Sequence, residues 1–259
     1  MLMRLNAVVL LLCCLSISQS FACDNKQARI ILNNLQWLTE DYPPYNFINQ
    51  DQQLVGTSTD ILLAIFKSLG LDKSHHDINV IPWARLYYQM EDSAKYAAFS
   101  MLSTPERERN FVLVPMPQNE RVSILVLKER LSELLKKTYQ EISVAVVRED
   151  IGHQLIESNN LPVKQVVTTS AKNMLKMLSS KRVDAVAYSE SVVYYQFDKY
   201  GDSNQQIVPL LVLDEEAHTN FVFHHEMDKC AVELFKNTLA KLNEQNQITP
   251  IYKKYVTRN

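Results

Sequence analysis

Glycine is nearly absent, with 4 residues in a chain of 259. That excludes the glycine-rich cradles that hold phosphates or dinucleotides, because each needs several glycines close together. It also excludes a flexible glycine-rich linker. The sequence has no G-x-S-x-G nucleophile elbow. It has no histidine and cysteine group at zinc-ligand spacing. The pairs His75-His76 and His224-His225 are adjacent residues, which diverge on a strand and do not face one another on a helix. They read as surface histidines, so no metal and no cofactor is expected. Charge of one sign is missing too: 27 Lys and Arg stand against 29 Asp and Glu, a net charge of −2. No basic stripe exists to bind nucleic acid. After the first residues, no apolar run approaches the roughly 20 residues needed to span a bilayer.

The beginning of the chain carries its own signal. Arg4 is followed by an almost unbroken apolar run over 6–17, then by the small-x-small site Ser20-Phe21-Ala22. This is the pattern of a secretory signal peptide over 1–22, cleaved after Ala22. Ser20 and Phe21 fit a lipoprotein signal poorly, so the expected product is unlipidated and periplasmic. Cys13 and Cys14 leave with the signal, and Cys23 and Cys230 remain. In an oxidising compartment two cysteines suggest one disulfide. Two unpaired thiols, or a lipidated Cys23, are the alternatives.

Hydrophobic periodicity then gives a regular alternation. A strand over 35–39 runs into Glu40-Asp41-Tyr42-Pro43-Pro44-Tyr45, where two prolines enforce an extended loop. A helix follows over 57–69, with Ser58 or Thr59 as its cap, Ile61, Leu62, Ile65, Phe66 and Leu69 on one face, and Gly70 as its stop. A strand over 78–81 leads to a helix opened by Pro82, with Trp83, Leu86, Tyr87 and Met90 on its apolar face. The next strand starts at Ala97 and ends in Ser100, Ser103 and Thr104. Thr104 is a good N-cap and Pro105 a good first residue for a short helix that carries Arg107. Short strands are expected over 111–114 and 122–127, with Pro115 and Pro117 between them. A polar helix is expected over 131–138. The alternation repeats with strands over 142–147, 163–167 and 183–187 and helices over 151–158, 171–179 and 189–200. Strands over 207–213 and 221–223 and helices over 228–242 and 248–256 complete the chain. Two successive β-α-β-α-β units point to an α/β fold of two doubly wound lobes.

In an open α/β sheet, ligands bind beyond the carboxyl ends of the strands. Arg107 stands there beside hydroxyl residues and free backbone N–H groups. Such a guanidinium can grip a carboxylate with two parallel hydrogen bonds. The plain alternative is a solvated charge run on a surface helix.

Several blocks together resemble the family 3 extracellular solute-binding proteins, the periplasmic receptors of polar amino-acid ABC transporters. They are W-L-T-E-D-Y-P-P-Y at 37–45, G-T-S-T-D-I-L-L-A-I-F at 56–66, I-P-W-A-R at 81–85 and F-S-M-L-S-T-P-E-R-E-R at 99–109. K-R-V-D-A-V-A-Y at 181–188 and I-x-x-I-Y-K-K-Y at 248–255 complete the set. The resemblance implies a type II periplasmic-binding-protein fold, two lobes joined by a two-strand hinge that closes on a ligand. Lobe 1 would comprise 23–118 and 220–259, and lobe 2 119–219 with the hinge segments. Cys23 and Cys230 would then share a lobe, which favours their disulfide. By position, the resemblance gives Arg107 the ligand carboxylate and makes Ser100 a ligand contact. It makes Glu40 an acid facing the ligand, and Tyr42 and Trp83 the aromatic walls. Trp83 also begins an amphipathic helix face, where an aromatic is more often core.

The second lobe departs from the pattern. Arg148-Glu149-Asp150 stands where the family has small hydroxyl or glycine residues, and Tyr188 or Ser189 where it keeps an aspartate for the ligand ammonium. Glu190 lies one step on. The resemblance therefore implies a monomeric binding protein for an amino acid or another small carboxylate, working with a membrane ABC permease. An enzyme of the cyclohexadienyl dehydratase kind, using Glu40, Asp41 or Glu190 as a general acid, is the alternative on the same fold. A sensor that signals through a partner is another.

Overall fold

The computed structural model describes residues 23–200 and 206–256. The expected signal peptide lies outside the described residues. The frame is one eight-stranded mixed sheet with helices packed on both faces. Its strands are β1 (Gln36–Thr39), β4 (Ile78–Val80), β5 (Tyr96–Leu102), β6 (Phe111–Leu127), β7 (Ser143–Val147), β8 (Lys164–Thr168), β9 (Ala185–Ser189) and β10 (Ile207–His224), in the order β4-β1-β5-β10-β6-β9-β7-β8. Two short strands, β2 (Phe47–Ile48) and β3 (Leu54–Val55), form a separate hairpin.

The sheet has two similar halves. On one side β4, β1 and β5 are parallel and β10 runs antiparallel to β5. On the other side β8, β7 and β9 are parallel and β6 runs antiparallel to β9. The long strands β6 and β10 pair with each other at the centre and belong to both halves. Each half buries both of its faces. Trp37 packs among Phe66, Phe221, Phe223 and Phe235, while its neighbour Leu38 packs on the opposite face with Trp83, Leu86 and Met90. In the second half Val144 and Val146 face one cluster and Ala145 and Val147 the other. This alternation is why the parallel strands read as unbroken apolar runs.

The helices are α1 (Asn25–Asn34), α2 (Thr57–Leu69), α3 (Trp83–Asp92), α4 (Pro105–Asn110), α5 (Leu131–Leu134), α6 (Ile151–Ser158), α7 (Ala171–Ser179), α8 (Glu190–Tyr200), α9 (Lys229–Glu244) and α10 (Thr249–Val256). Helix α1 carries no sequence-based expectation. It buries only Ala28 and Leu32, and Asp24 caps it by accepting from Lys26 and Gln27 N–H. The Cys23–Cys230 disulfide ties its entrance to α9, with Cα atoms 5.3 Å apart.

Three expectations are corrected. The strand pairs expected over 111–127 and 207–223 are each one continuous strand. Pro115 and Pro117 do not break β6, because β9 joins it only from Val122 onward and the prolines sit at an exposed margin. The expected helix over 131–138 stops at Leu134, after which Leu135 is exposed and a capping box of Thr138 and Glu141 starts a 3₁₀ turn. Helix α2 is capped by neither Ser58 nor Thr59. Gly56 precedes it at φ 126°, and the carbonyls of Pro44 and Tyr45 take the first free N–H groups, from Thr57 and Ser58. A Cβ on Gly56 would overlap the Tyr45 carbonyl. The Pro-Pro loop is thus stitched to the start of α2.

Candidate ligand-binding cleft

The carboxyl ends of β1 and β5 face the turn between β7 and α6. After β1, Glu40 enters the Pro-Pro loop, which folds back on itself. Tyr42 N–H donates to the Asn46 carbonyl at 2.7 Å, and Asn46 Nδ2 donates to the Glu40 carbonyl at 2.6 Å. This fixes Tyr42, stacked on Tyr45 with ring centroids 5.6 Å apart and edge-on to Tyr188 at 5.6 Å.

At the end of β5 the pairing with β10 slips: Met101 faces Asn220 and Phe99 faces Phe221, which leaves Ser100 as an extra residue. This bulge puts Ser100 at φ 64°, a left-handed conformation. Its Oγ is buried without a hydrogen-bond partner. Thr104 then caps α4 by accepting from Arg107 N–H at 3.1 Å. The cap turns the Arg107 side chain inward, where it is 1% exposed. Its Nη1 donates to the Leu102 carbonyl at 2.9 Å, and its guanidinium lies over the Trp83 ring, 4.7 Å from the centroid.

The opposite wall begins at Glu149, also left-handed at φ 55°. Its carbonyl accepts from Trp83 Nε1 at 3.0 Å and from Arg107 Nη2 at 3.1 Å. Asp150 caps α6 through Ile151 N–H at 2.7 Å, and Asp150 Oδ1 sits 3.7 Å from Arg107 Nη2. One turn along α6, Gln154 Nε2 reaches Glu106 Oε2 at 3.4 Å. Along β6 the Tyr45 hydroxyl donates to Glu120, whose other oxygen accepts from Ser191 Oγ at 2.9 Å. The two halves therefore meet across the cleft through named side chains. Helix α6 can come this close to the sheet because residue 152 is glycine, since a Cβ there would overlap the Ala187 carbonyl.

The ionisable groups around the cleft are shifted by burial and by one another. Desolvation raises Glu40 well above the usual carboxylate range, and the charge of Asp150 raises it further, against a lowering pull from Arg107. Burial raises Asp150 as well, again opposed by Arg107. Burial raises the phenols of Tyr42 and Tyr188, each facing Asp150.

Of the residues expected at a site, Arg107, Ser100, Glu40, Tyr42, Trp83 and Tyr188 gather around this cleft. Ser189 is buried, acts on the Tyr42 phenol and accepts from Val192 N–H at 3.4 Å. Arg148 is exposed, its N–H on the Thr168 carbonyl, and stands outside the cluster. Glu190 accepts from Ser123 Oγ at 2.6 Å and lies 3.8 Å from Arg121, so it is engaged with β6. Gln154, the inward turn of Asp150 and the Glu149 carbonyl are not among the residues the sequence singles out. The i, i+4 spacing of Asp150 and Gln154 at the start of a helix was the available signal. His224 is buried and not, as expected, on the surface. With His225 and Glu226 it is the one group of three possible metal ligands among the described residues. Its Nδ1 already accepts from Glu226 N–H at 3.1 Å.

Comparison with known proteins places this geometry. The sensor domain of a histidine kinase similar to periplasmic binding proteins superposes with a TM-score of 0.73 at 18% identity, covering 86% of this chain and 96% of that one. An amino-acid ABC transporter substrate-binding protein from Streptococcus pneumoniae, bound to L-arginine, gives 0.71 at 17% identity, covering 88% and 96%. The arginine-, lysine-, histidine-binding protein ArtJ from Geobacillus stearothermophilus gives 0.71 at 17%, covering 87% and 96%. At these identities the likeness is one of fold, a type II periplasmic-binding-protein fold. No curated protein matches the sequence. The family model of the bacterial extracellular solute-binding proteins, family 3, matches residues 36–258. The chain belongs to family 3 of the bacterial extracellular solute-binding proteins.

Proposed function

We propose that the chain is a periplasmic receptor that captures a small polar solute, an amino acid first among the candidates, and delivers it to an ABC permease. The observation that carries this reading is a group of buried polar atoms without hydrogen-bond partners. Ser100 Oγ, Arg107 Nε, Asp150 Oδ2 and Gln154 Oε1 belong to it. Buried polar atoms in native proteins are almost always paired. A cluster of unpaired ones on two facing walls is the signature of a place where a ligand supplies the partners.

In this reading residues 23–118 and 220–259 form one lobe and 119–219 the other, bending at β6 and β10. A ligand that touches both walls favours the closed arrangement over the open one. A ligand carboxylate would take Arg107 Nε and exchange with the Glu149 carbonyl at Nη2. Secretion through residues 1–22 would deliver a monomer to the periplasm. The role is capture without chemistry, and the absence of turnover of prephenate or arogenate would separate it from the dehydratase alternative.

A thermal-shift panel of amino acids, dicarboxylates and small peptides tests the proposal. Selective binding to the folded state at about 100 Kd adds roughly 2.7 kcal/mol. A shift by one class of solute, confirmed by calorimetry at one site, is the expected result. A flat panel, with no small molecule released on denaturation, refutes it.

A further inference from the structure

We propose that Tyr45 and Glu120 form a latch between the two lobes, outside the ligand's contacts, which holds the chain closed before a solute arrives. The inference rests on the two-lobe part of the receptor reading, with its bend at β6 and β10.

The argument starts from a buried carboxylate that the cleft does not use. Glu120 lies on β6, two residues before β9 joins that strand, and it is 3% exposed. Burial raises it above the usual carboxylate range, and what opposes burial is hydrogen bonding rather than a cation. Its two oxygens are divided. Oε1 accepts from Ser191 Oγ at 2.9 Å and from Arg121 N–H at 3.1 Å, both on the 119–219 side. The other oxygen accepts from the Tyr45 hydroxyl, on the 23–118 side. The carboxylate is thus anchored in one lobe and bonded to the other.

Tyr45 is held as firmly within its own lobe. Its carbonyl accepts from Ser58 N–H at 2.9 Å, and its N–H donates to the Tyr42 carbonyl at 2.9 Å. Two residues on, Phe47 packs on Tyr195 with ring centroids 5.7 Å apart. Lys199 Nζ lies 5.5 Å from the Phe47 ring and 5.6 Å from the Tyr195 ring. Ser191, Tyr195 and Lys199 recur every four residues, so one stripe of α8 meets the loop and hairpin that carry Tyr45 and Phe47. The latch also adjoins the site, because Tyr45 stacks on Tyr42, whose ring meets Tyr188.

Opening would withdraw the Tyr45 hydroxyl and let water reach Glu120. The relief of desolvation offsets much of the lost hydrogen bond, which keeps the two arrangements close enough in free energy for a ligand to choose between them. Tyr45→Phe keeps the ring on Tyr42 but leaves a carboxylate oxygen buried without its donor. The closed-to-open ratio should then fall by roughly tenfold or more, and a ligand that needs the closed arrangement loses affinity as the closed fraction falls.

The test is the distance between two spin labels in the purified, ligand-free protein, read by pulsed electron resonance. Lys67→Cys on α2 and Lys164→Cys on β8, both exposed, carry the labels, while Cys23 and Cys230 are held in their disulfide. The expected result is one distance in the parent and a second distance in Tyr45→Phe, more populated when Tyr195→Ala is added. Glu190→Gln is the control: this neighbouring carboxylate is 8% exposed, and its partners Ser123, Tyr194 and Arg121 all lie on its own side. It should leave the distances unchanged. A parent that already shows both distances overturns the latch, and so does a distribution untouched by Tyr45→Phe with Tyr195→Ala. A change in Glu190→Gln as large as in Tyr45→Phe also overturns it, since the effect is then one of local packing. Should the double variant not melt cooperatively, Tyr45→Phe with Ser191→Ala takes its place. None of these results touches solute binding, which the thermal-shift panel reads separately, so a failed latch and a failed receptor are told apart.

Discussion

Arg107 holds the two walls of the cleft together, and its removal gives a quantitative test. Arg107→Ala deletes a guanidinium that is 1% exposed and donates to Leu102 on its own side and to Glu149 across the cleft. Each hydrogen bond from a charged group contributes about 1.5–3 kcal/mol, and a desolvated guanidinium over an indole about 2 kcal/mol. These do not add, because the same side chain makes them all. The larger effect is what remains behind: Asp150, buried, with its positive partner gone. Removing one member of a buried ion pair costs about 3–5 kcal/mol, which for a chain of this size lowers Tm by roughly 6–20 °C. The ion-pair distance of 3.7 Å is long, so the reverse change is milder, and Asp150→Asn alone should cost less than Arg107→Ala. The two substitutions must be coupled. In the Arg107→Ala background, Asp150→Asn removes an uncompensated charge and becomes neutral or stabilising. Guanidinium unfolding followed by tryptophan fluorescence suits the measurement, because Trp83 lies directly under the guanidinium. A cost below about 1 kcal/mol for Arg107→Ala, or equal effects of Asp150→Asn in both backgrounds, refutes the reasoning.

The Cys23–Cys230 bridge closes a loop with a sequence separation of 207, for which the chain-entropy relation gives about 5 kcal/mol, at the top of the usual range for disulfides. Dithiothreitol, or Cys23→Ser with Cys230→Ser, should therefore lower Tm by on the order of 10 °C, and a melt indifferent to reductant would contradict the bridge. Glu40 titrates above its ordinary value of 4.5 in the fold, so between 4.5 and that raised value the native state holds more protons than the unfolded chain. Its contribution is present below pH 4.5 and is lost as pH rises through the folded value. Glu40→Gln should accordingly raise Tm at pH 7–8 and change it little at about pH 4, and parallel Tm–pH curves for the two proteins would rule this out.

What the sequence made legible follows the range of the forces involved. Helix α6 and helix α7 have the bounds that periodicity and capping give them, and Thr104 caps α4 as its sequence suggests. These are local effects, decided within a few residues. Prolines and acidic residues interrupt the apolar runs of β6 and β10, so local periodicity divides each into fragments. They are continuous because each supplies the other's hydrogen bonds over most of its length. That pairing is invisible to a local reading. Helix α1 has only two buried residues and derives its place from α9 and the disulfide. Around the cleft, resemblance singles out Arg107, Ser100 and Glu40, and it offers Arg148 where the structure turns Asp150 inward. The three residues are disposed differently from one another: Arg148 is exposed, Glu149 offers its carbonyl to Arg107, and Asp150 lies 3.7 Å from the Arg107 guanidinium.

The scarcity of glycine bears on how this cleft is built. Ser100 and Glu149 both adopt left-handed backbone conformations, at φ 64° and 55°, on the facing ends of β5 and β7. Non-glycine residues in sparsely populated backbone regions cost about 1–3 kcal/mol each and persist where surrounding contacts over-determine them. Glycine would relieve both positions. At Ser100 it would delete the Oγ that stands unpaired in the cleft. At Glu149 it would loosen the backbone whose carbonyl receives Trp83 and Arg107 from the other wall. Glycine is used instead at position 152, where a Cβ would push α6 off the Ala187 carbonyl and carry Asp150 and Gln154 away from Arg107 and Glu106. The strain and the one permissive residue thus serve the same end, holding the donors and acceptors of the two walls at fixed distances. A ligand bridging them meets groups whose positions are already set, so less of its binding energy is lost in ordering the site.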